Sequence, residues 1–191
     1  TSGSVSQFKL NSSNTFLVKS LPAGTYTVTE HGKNSDGSIP YYTRTGGVSK
    51  TVTVTAGSTG TVTFTNTRNT GTGEVIKTWI DTNGNAIAAS NNVERNKQIY
   101  FRIKNADGKY ITVNGTKYSG SYSFAGTTTK ATSLYVNPGT GTFTVSDLPT
   151  GKYTVYEYGS PEGYSVNKAS QTITISANKT ASVSFVNSQD S

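Results

Sequence analysis

A glutamate, an asparagine and a lysine each fall on an apolar strand face in this chain, a placement that charged and amide side chains rarely take without a chemical reason. Side chains at i, i+2 and i+4 of a strand share one face. Tyr153, Val155 and Glu157 therefore put an acid among apolar neighbours, and Val183, Phe185 and Asn187 do the same with an amide. Both patterns occur once before, as Tyr26, Val28, Glu30 and as Val62, Phe64, Asn66. Lys77 stands between Val75 and Trp79 on a third such face, although Ile76 and Ile80 make the opposite face apolar too.

A buried acid, amide or amine is costly alone, and each becomes tolerable when the three meet. Desolvation lowers the pKa of Lys77 and raises that of Glu157, which favours a neutral amine beside a protonated acid. The amine is then a nucleophile, and the acid can polarise an amide carbonyl and shuttle protons. Attack of Lys77 on the side-chain carbonyl of Asn187 would expel ammonia and leave an isopeptide bond. Such a bond forms once per molecule, so the expectation is folding chemistry and not an enzyme. The competing reading makes Glu157 and Asn187 ordinary strand-end hydrogen bonders and Lys77 a surface amine. Recurrence of acid and amide at corresponding places favours the crosslink.

The elements that must hold these residues repeat. Thr15 to Glu30 reads TFLVKSLPAGTYTVTE and Thr142 to Glu157 reads TFTVSDLPTGKYTVYE, ten identities in sixteen positions. TVTVTAGSTGTVTFTNT, which contains Asn66, corresponds to QTITISANKTASVSFVNS, which contains Asn187. Each copy has the order strand, Leu-Pro-x-Gly turn, strand ending in Glu, loop, then a hairpin ending in Asn. Helical periodicity is weak throughout, so the fold class is all-β. The expected division is a domain over 1–69, a short flexible linker over 70–73 in the run Asn-Thr-Gly-Thr-Gly, and a complete domain over 74–191. The first domain has too few residues before Glu30 for the opening strands of the second, and Lys9 and Lys19 align with positions outside such a strand. Its Glu30 and Asn66 form a candidate site whose lysine partner is unknown.

Composition narrows the functions. The chain has 191 residues, no cysteine and no methionine, which excludes disulfides, thiolate zinc sites and cysteine nucleophiles and means that Thr1 is not a translation start. A fragment or processed product is expected, with Thr1 to Ser4 readable as a linker. The net charge of +7 is spread, six Lys/Arg against two acids up to residue 70 and eleven against eight beyond it, which fits a solvated surface better than a nucleic-acid footprint. No apolar run is long enough to span a membrane. Asp81-Thr-Asn83-Gly-Asn85 begins like a calcium loop, but Ala86 and Asn92 stand at its glycine and glutamate positions, so a turn is expected and no metal. The lone His31 offers no triad. Asn11, Asn114 and Asn178 head N-x-S/T triplets of the kind chance produces here. LPAGT and LPTGK miss the L-P-x-T-G sorting order and read as turns. Tyr118 and Tyr122 lie in a Gly/Ser/Thr-rich stretch, 114–134, expected to be an extended loop.

V-x-K-x-W at Val75 to Trp79, L-P-x-G-x-Y-T-V-x-E at Leu148 to Glu157 and F-x-N at Phe185 to Asn187 together resemble the B-type repeat of Gram-positive collagen adhesins and pilins. The resemblance covers 74–188 and, in the first domain, the part from about Val5 to Thr67. It implies tandem Ig-like, prealbumin-like Cna B-type β-sandwiches, with Lys77 and Asn187 bonded and Glu157 catalytic. It also implies a structural stalk or pilin segment on the surface or wall of a Gram-positive bacterium, without cofactor. Partners would be other stalk domains or pilus subunits, with no nucleic acid and no membrane. The alternative is an adhesin module that binds a host or matrix ligand directly.

Overall fold

The structure, a computed structural model, describes residues 7–126, 128–159 and 161–191. Thr1 to Ser4, read as a linker, and Val5, where the resemblance starts, lie outside the described residues. The chain divides into two compact units, one of residues up to Pro40 with Arg44–Thr67, the other of Tyr41–Thr43 with Arg68–Ser191. Among the described residues no helix is long and apolar enough to cross a membrane.

The first unit carries β1 (Gly24–Thr29), antiparallel to β3 (Ser49–Val54), with Tyr26 opposite Val52 and Val28 opposite Lys50. A second two-stranded sheet joins β2 (Tyr42–Thr45) to β4 (Thr65–Arg68). The strands alternate as the sequence requires, but what faces inward is only half-buried. Phe8, Leu10, Phe16, Leu17 and Val18 remain exposed, with the Phe8 and Phe16 rings stacked at 4.4 Å.

The second unit is an all-β sandwich. Its strands are β5 (Thr70–Ile80), β6 (Ala86–Ile87), β7 (Tyr100–Asn105), β8 (Tyr110–Gly115), β9 (Ser119–Gly126), β10 (Thr142–Pro149), β11 (Gly151–Tyr158), β12 (Tyr164–Val166), β13 (Ser170–Ile175) and β14 (Thr180–Gln189). Hydrogen bonding runs in the order β12-β14-β5-β10-β9-β8-β7-β11-β13, with β6 on β5. The path bends where β9 and β10 share a short parallel ladder, Thr144 to Ser119 through Ser146 to Ser121. That bend brings β14-β5-β10 over β7-β11-β13, so that Phe101 of β7 packs against Phe143 of β10 at 5.4 Å and Phe185 of β14 at 5.1 Å. Every buried hydrophobic side chain among the described residues belongs to this unit.

Three expectations change. Residues 70–73, read as a flexible linker, are the first turn-free stretch of β5, because Thr and Gly alternate so that the glycines face inward. A Cβ on Gly71 would lie 2.2 Å from the Ser176 carbonyl oxygen and one on Gly73 would lie 3.1 Å from Leu148, so these glycines serve close packing and not flexibility. The expected last hairpin is a crossing between layers: β13 pairs with β11, while β14 lies between β12 and β5, leaving it no free edge for β13. The stretch 114–134, read as an extended loop, contains β9, antiparallel to β8, and Tyr122 packs on the core.

The Leu-Pro-x-Gly turn behaves alike in both units. Tyr153 donates its hydroxyl to the Pro149 carbonyl at 2.6 Å, and Tyr26 to that of Pro22 at 2.7 Å. Gly151 adopts φ +140°, which an L side chain rarely does. Asp81 turns β5 into β6 by accepting from the backbone N–H groups of Asn83 and Asn85, so its carboxylate is occupied in a turn.

Candidate crosslinking site

β5 and β14, the first and last strands of the second unit, run side by side in parallel, with Phe185 opposite Lys77 and Asn187 opposite Trp79. Strands so far apart in sequence meet because each puts its apolar set, Val75 and Trp79 or Val183 and Phe185, toward one core. Lys77 and Asn187 belong to those sets by parity and are buried with them. Glu157, the last inward residue of β11, reaches them from the opposite layer.

The three side chains meet. Lys77 Nζ donates to both carboxylate oxygens of Glu157, at 3.2 and 3.1 Å, and to Oδ1 of Asn187. Both charged side chains are fully buried. The indole of Trp79 closes one side, its ring centre 4.7 Å from Nζ, and Tyr164 meets that ring edge-on at 5.1 Å. Burial pulls the Lys77 amine down to about 8, against the opposing pull of the Glu157 charge. Burial likewise pushes the Glu157 carboxyl up, against the weaker pulls of Lys77 and Asn187. Both directions favour a neutral amine facing a protonated acid. Asn187 Nδ2 is buried and, among the described residues, makes no well-formed hydrogen bond. An unsatisfied buried amide N–H is costly in a finished fold, yet this nitrogen is the one an attacking lysine would expel.

The sequence reading missed Asn96, whose signal was weak because it sits on a single helical turn, α1 (Val93–Asn96). It is fully buried, accepts from the Trp79 indole N–H at 2.8 Å and donates to the Pro138 carbonyl at 2.9 Å. It thereby fixes the ring that walls the site.

In the first unit Glu30 and Asn66 also come together, Nδ2 of Asn66 donating to Glu30 Oε2 at 2.9 Å. The cation there is Arg44, whose Nε donates to Glu30 Oε1 at 2.7 Å and whose second nitrogen reaches the carbonyls of Glu30 and Gly37. Guanidinium does not give up its proton in a protein and offers no nucleophile. Lys9 and Lys19 are exposed, and Lys50 donates to the Thr63 carbonyl.

The family model described as SpaA, prealbumin-like fold domain, matches residues 88–189, more than half of the chain. The chain belongs to this family. The SpaA prealbumin-like match includes Glu157 and Asn187 and begins after Lys77. A second model, a domain of unknown function (DUF7601), matches residues 1–68. No curated protein matches the chain. Among solved structures, the minor pilin GBS52 of Streptococcus agalactiae aligns at 17% identity and a TM-score of 0.48, over 91% of this chain and 63% of that one. A streptococcal ancillary pilin aligns at 18% and 0.47, over 88% and 46%. The shaft pilin SpaA of Lactobacillus rhamnosus GG aligns at 15% and 0.45, over 87% and 65%. The chain thus spans between about half and two thirds of these structures' lengths.

Proposed function

We propose that this chain is a structural segment of a bacterial surface stalk or pilus, built from tandem Cna B-type sandwiches and made permanent by an autocatalytic Lys77–Asn187 isopeptide bond. One observation carries the reading: Nζ of Lys77 sits between the Glu157 carboxyl and the Asn187 carbonyl, in a site closed to solvent. The neutral amine attacks Cγ of Asn187 while the Glu157 acid hydrogen-bonds Oδ1 and supports the tetrahedral oxyanion. The Glu157 acid gives its proton to Nδ2 and takes one from Nζ, the Cγ–Nδ2 bond breaks, and ammonia leaves. The new Nζ–Cγ bond balances the one lost, and Glu157 ends as it began.

The bond would tie the first and last long strands of the unit, which lie side by side, so tension entering at β5 would leave through β14 without shearing the sandwich. Pulling single molecules by their ends tests this. The wild type should release no length from residues 77–187. Lys77→Ala should add a step of about 370 Å from those residues, at ~3.4 Å each. A step of that size in the wild type would overturn the reading.

A further inference from the structure

The outward face of the β7–β11 layer carries five tyrosines and four cations, Lys152 among them, that neither the core nor the crosslink uses. On β7 the outward residues are Tyr100, Arg102 and Lys104; on β11 they are Tyr158 and Tyr156, opposite the first two. Tyr100 and Tyr158 stack at 5.0 Å, and Arg102 lies over both rings at 5.6 and 5.8 Å. Lys104 lies over Tyr110 at 4.8 Å and Tyr156 at 5.2 Å, and Lys117 over Tyr135 at 4.3 Å. Arg102 bonds Ser133 through Nε at 3.3 Å. Among the described residues none of the four cations pairs with a carboxylate, and Asp107, the acid nearest Lys104 in sequence, makes no such contact. The remaining outward groups of β11 and β13 are Lys152 and the hydroxyls of Thr154, Ser170, Thr172 and Thr174.

This face is thus cationic and rich in hydroxyl and N–H donors, and among the described residues no acid points outward from β7, β11 or β13, which selects a ligand that is anionic and rich in oxygen acceptors. It is also a poor platform for nucleobases. Base stacking needs open aromatic faces, and here each of the five rings already has a guanidinium, an ammonium or another ring on a face. From Tyr100 to Lys104 the face runs about 13 Å along the strand, room for a few sugar rings. We propose that the outward β7–β11 face is a binding site for a polyanionic polysaccharide, sulfated or uronate-bearing.

The full chain is titrated at about 0.1 M salt with a heparin-derived octasaccharide, a neutral dextran oligosaccharide and a short oligothymidylate. The octasaccharide should bind with an affinity that falls as salt rises, and the dextran should not bind. Arg102→Gln with Lys104→Gln should weaken octasaccharide binding about tenfold or more. Lys9→Gln with Lys33→Gln, the same loss of charge on exposed residues of the first unit, should change it less than about twofold. Lys117→Gln, at an exposed position outside the core, should weaken binding about threefold. Equal weakening by both double variants would make the binding a general charge effect and overturn the proposal. So would absent binding, or oligothymidylate binding as tightly as the octasaccharide.

Discussion

The two units hold the same acid and the same amide at corresponding positions, and they differ in what surrounds them. In the second unit β11 lies between β13 and β7, and β14 between β12 and β5. In the first, the corresponding β1 pairs only with β3 and β4 only with β2, among the described residues. The consequences run from packing to chemistry. With β5 and β7 in place, Phe101, Phe143 and Phe185 close a core, and Lys77 and Glu157 lose contact with water. Without such neighbours Phe8 and Phe16 stay exposed, and Glu30 keeps 17% of its side-chain surface and takes a permanent cation, Arg44. Under the proposed crosslink, the comparison teaches that a Glu-Asn pair is not enough: burial lowers the amine's pKa toward the neutral form, and the strand that brings burial also brings the lysine.

The largest break in the comparison should come from removing the bond. Asn187→Ala leaves the buried Lys77–Glu157 pair but opens a loop of about 110 residues, so the second unit should lose about 4 to 5 kcal/mol of stability in the chain-entropy account. Lys77→Ala should lose at least as much, since it also strands Glu157 in the core. Urea midpoints of the three proteins measure this, and coincident midpoints would remove the bond's contribution.

Next in size is a pH effect that only a buried amine can give. In Asn187→Ala, which keeps Lys77 free, the folded amine titrates at about 8 and the unfolded one near its usual value of 10.5. The unfolded chain therefore binds more protons between those values, so stability should rise with pH from about 8 to 10, by about 2 kcal/mol. Tyr153, whose phenol burial pushes up to about 12, works the other way as pH passes 10. Adding Lys77→Met should flatten the rise below pH 10. A rise that survives Lys77→Met would locate it elsewhere.

Arg44→Lys sharpens the comparison from the other unit. It places an amine beside Glu30 in a site still partly open to water, where the ammonium stays charged, so no bond to Asn66 should form. Loss of ammonia in that variant would show that burial is not required. Smallest is the turn pair: Tyr153→Phe should cost about 1 kcal/mol through its bond to Pro149, and Tyr26→Phe less, because Tyr26 is more exposed. Equal costs in thermal unfolding would mean that burial does not distinguish the two turns.

Much of this was legible in the sequence because a period of two is a direct statement about sides. Parity placed Glu157 and Asn187 inward and grouped Lys77 with Val75 and Trp79, although Ile76 and Ile80 left its strand apolar on both faces, and the Leu-Pro-x-Gly repeat located both turns. Parity says nothing about which strands become neighbours. It could not tell that β13 and β14 belong to opposite layers, nor that Gly and Ser in 114–134 build a strand held by parallel pairing with β10. Glycines at 71 and 73 read as flexibility because the close approach of the Ser176 carbonyl is a tertiary fact. Arg44 escaped notice for the same reason: it lies fourteen residues beyond Glu30, and only the fold returns its guanidinium to that carboxylate.

The central claim is a covalent bond, and intact mass reads it directly. Formation of one Lys77–Asn187 bond with loss of ammonia predicts a wild-type chain about 17 Da lighter than its sequence, with full mass restored in Lys77→Ala, Glu157→Ala and Asn187→Ala. A wild-type mass equal to that of the sequence would contradict the account. A deficit of about 34 Da would contradict the distinction drawn between the two units.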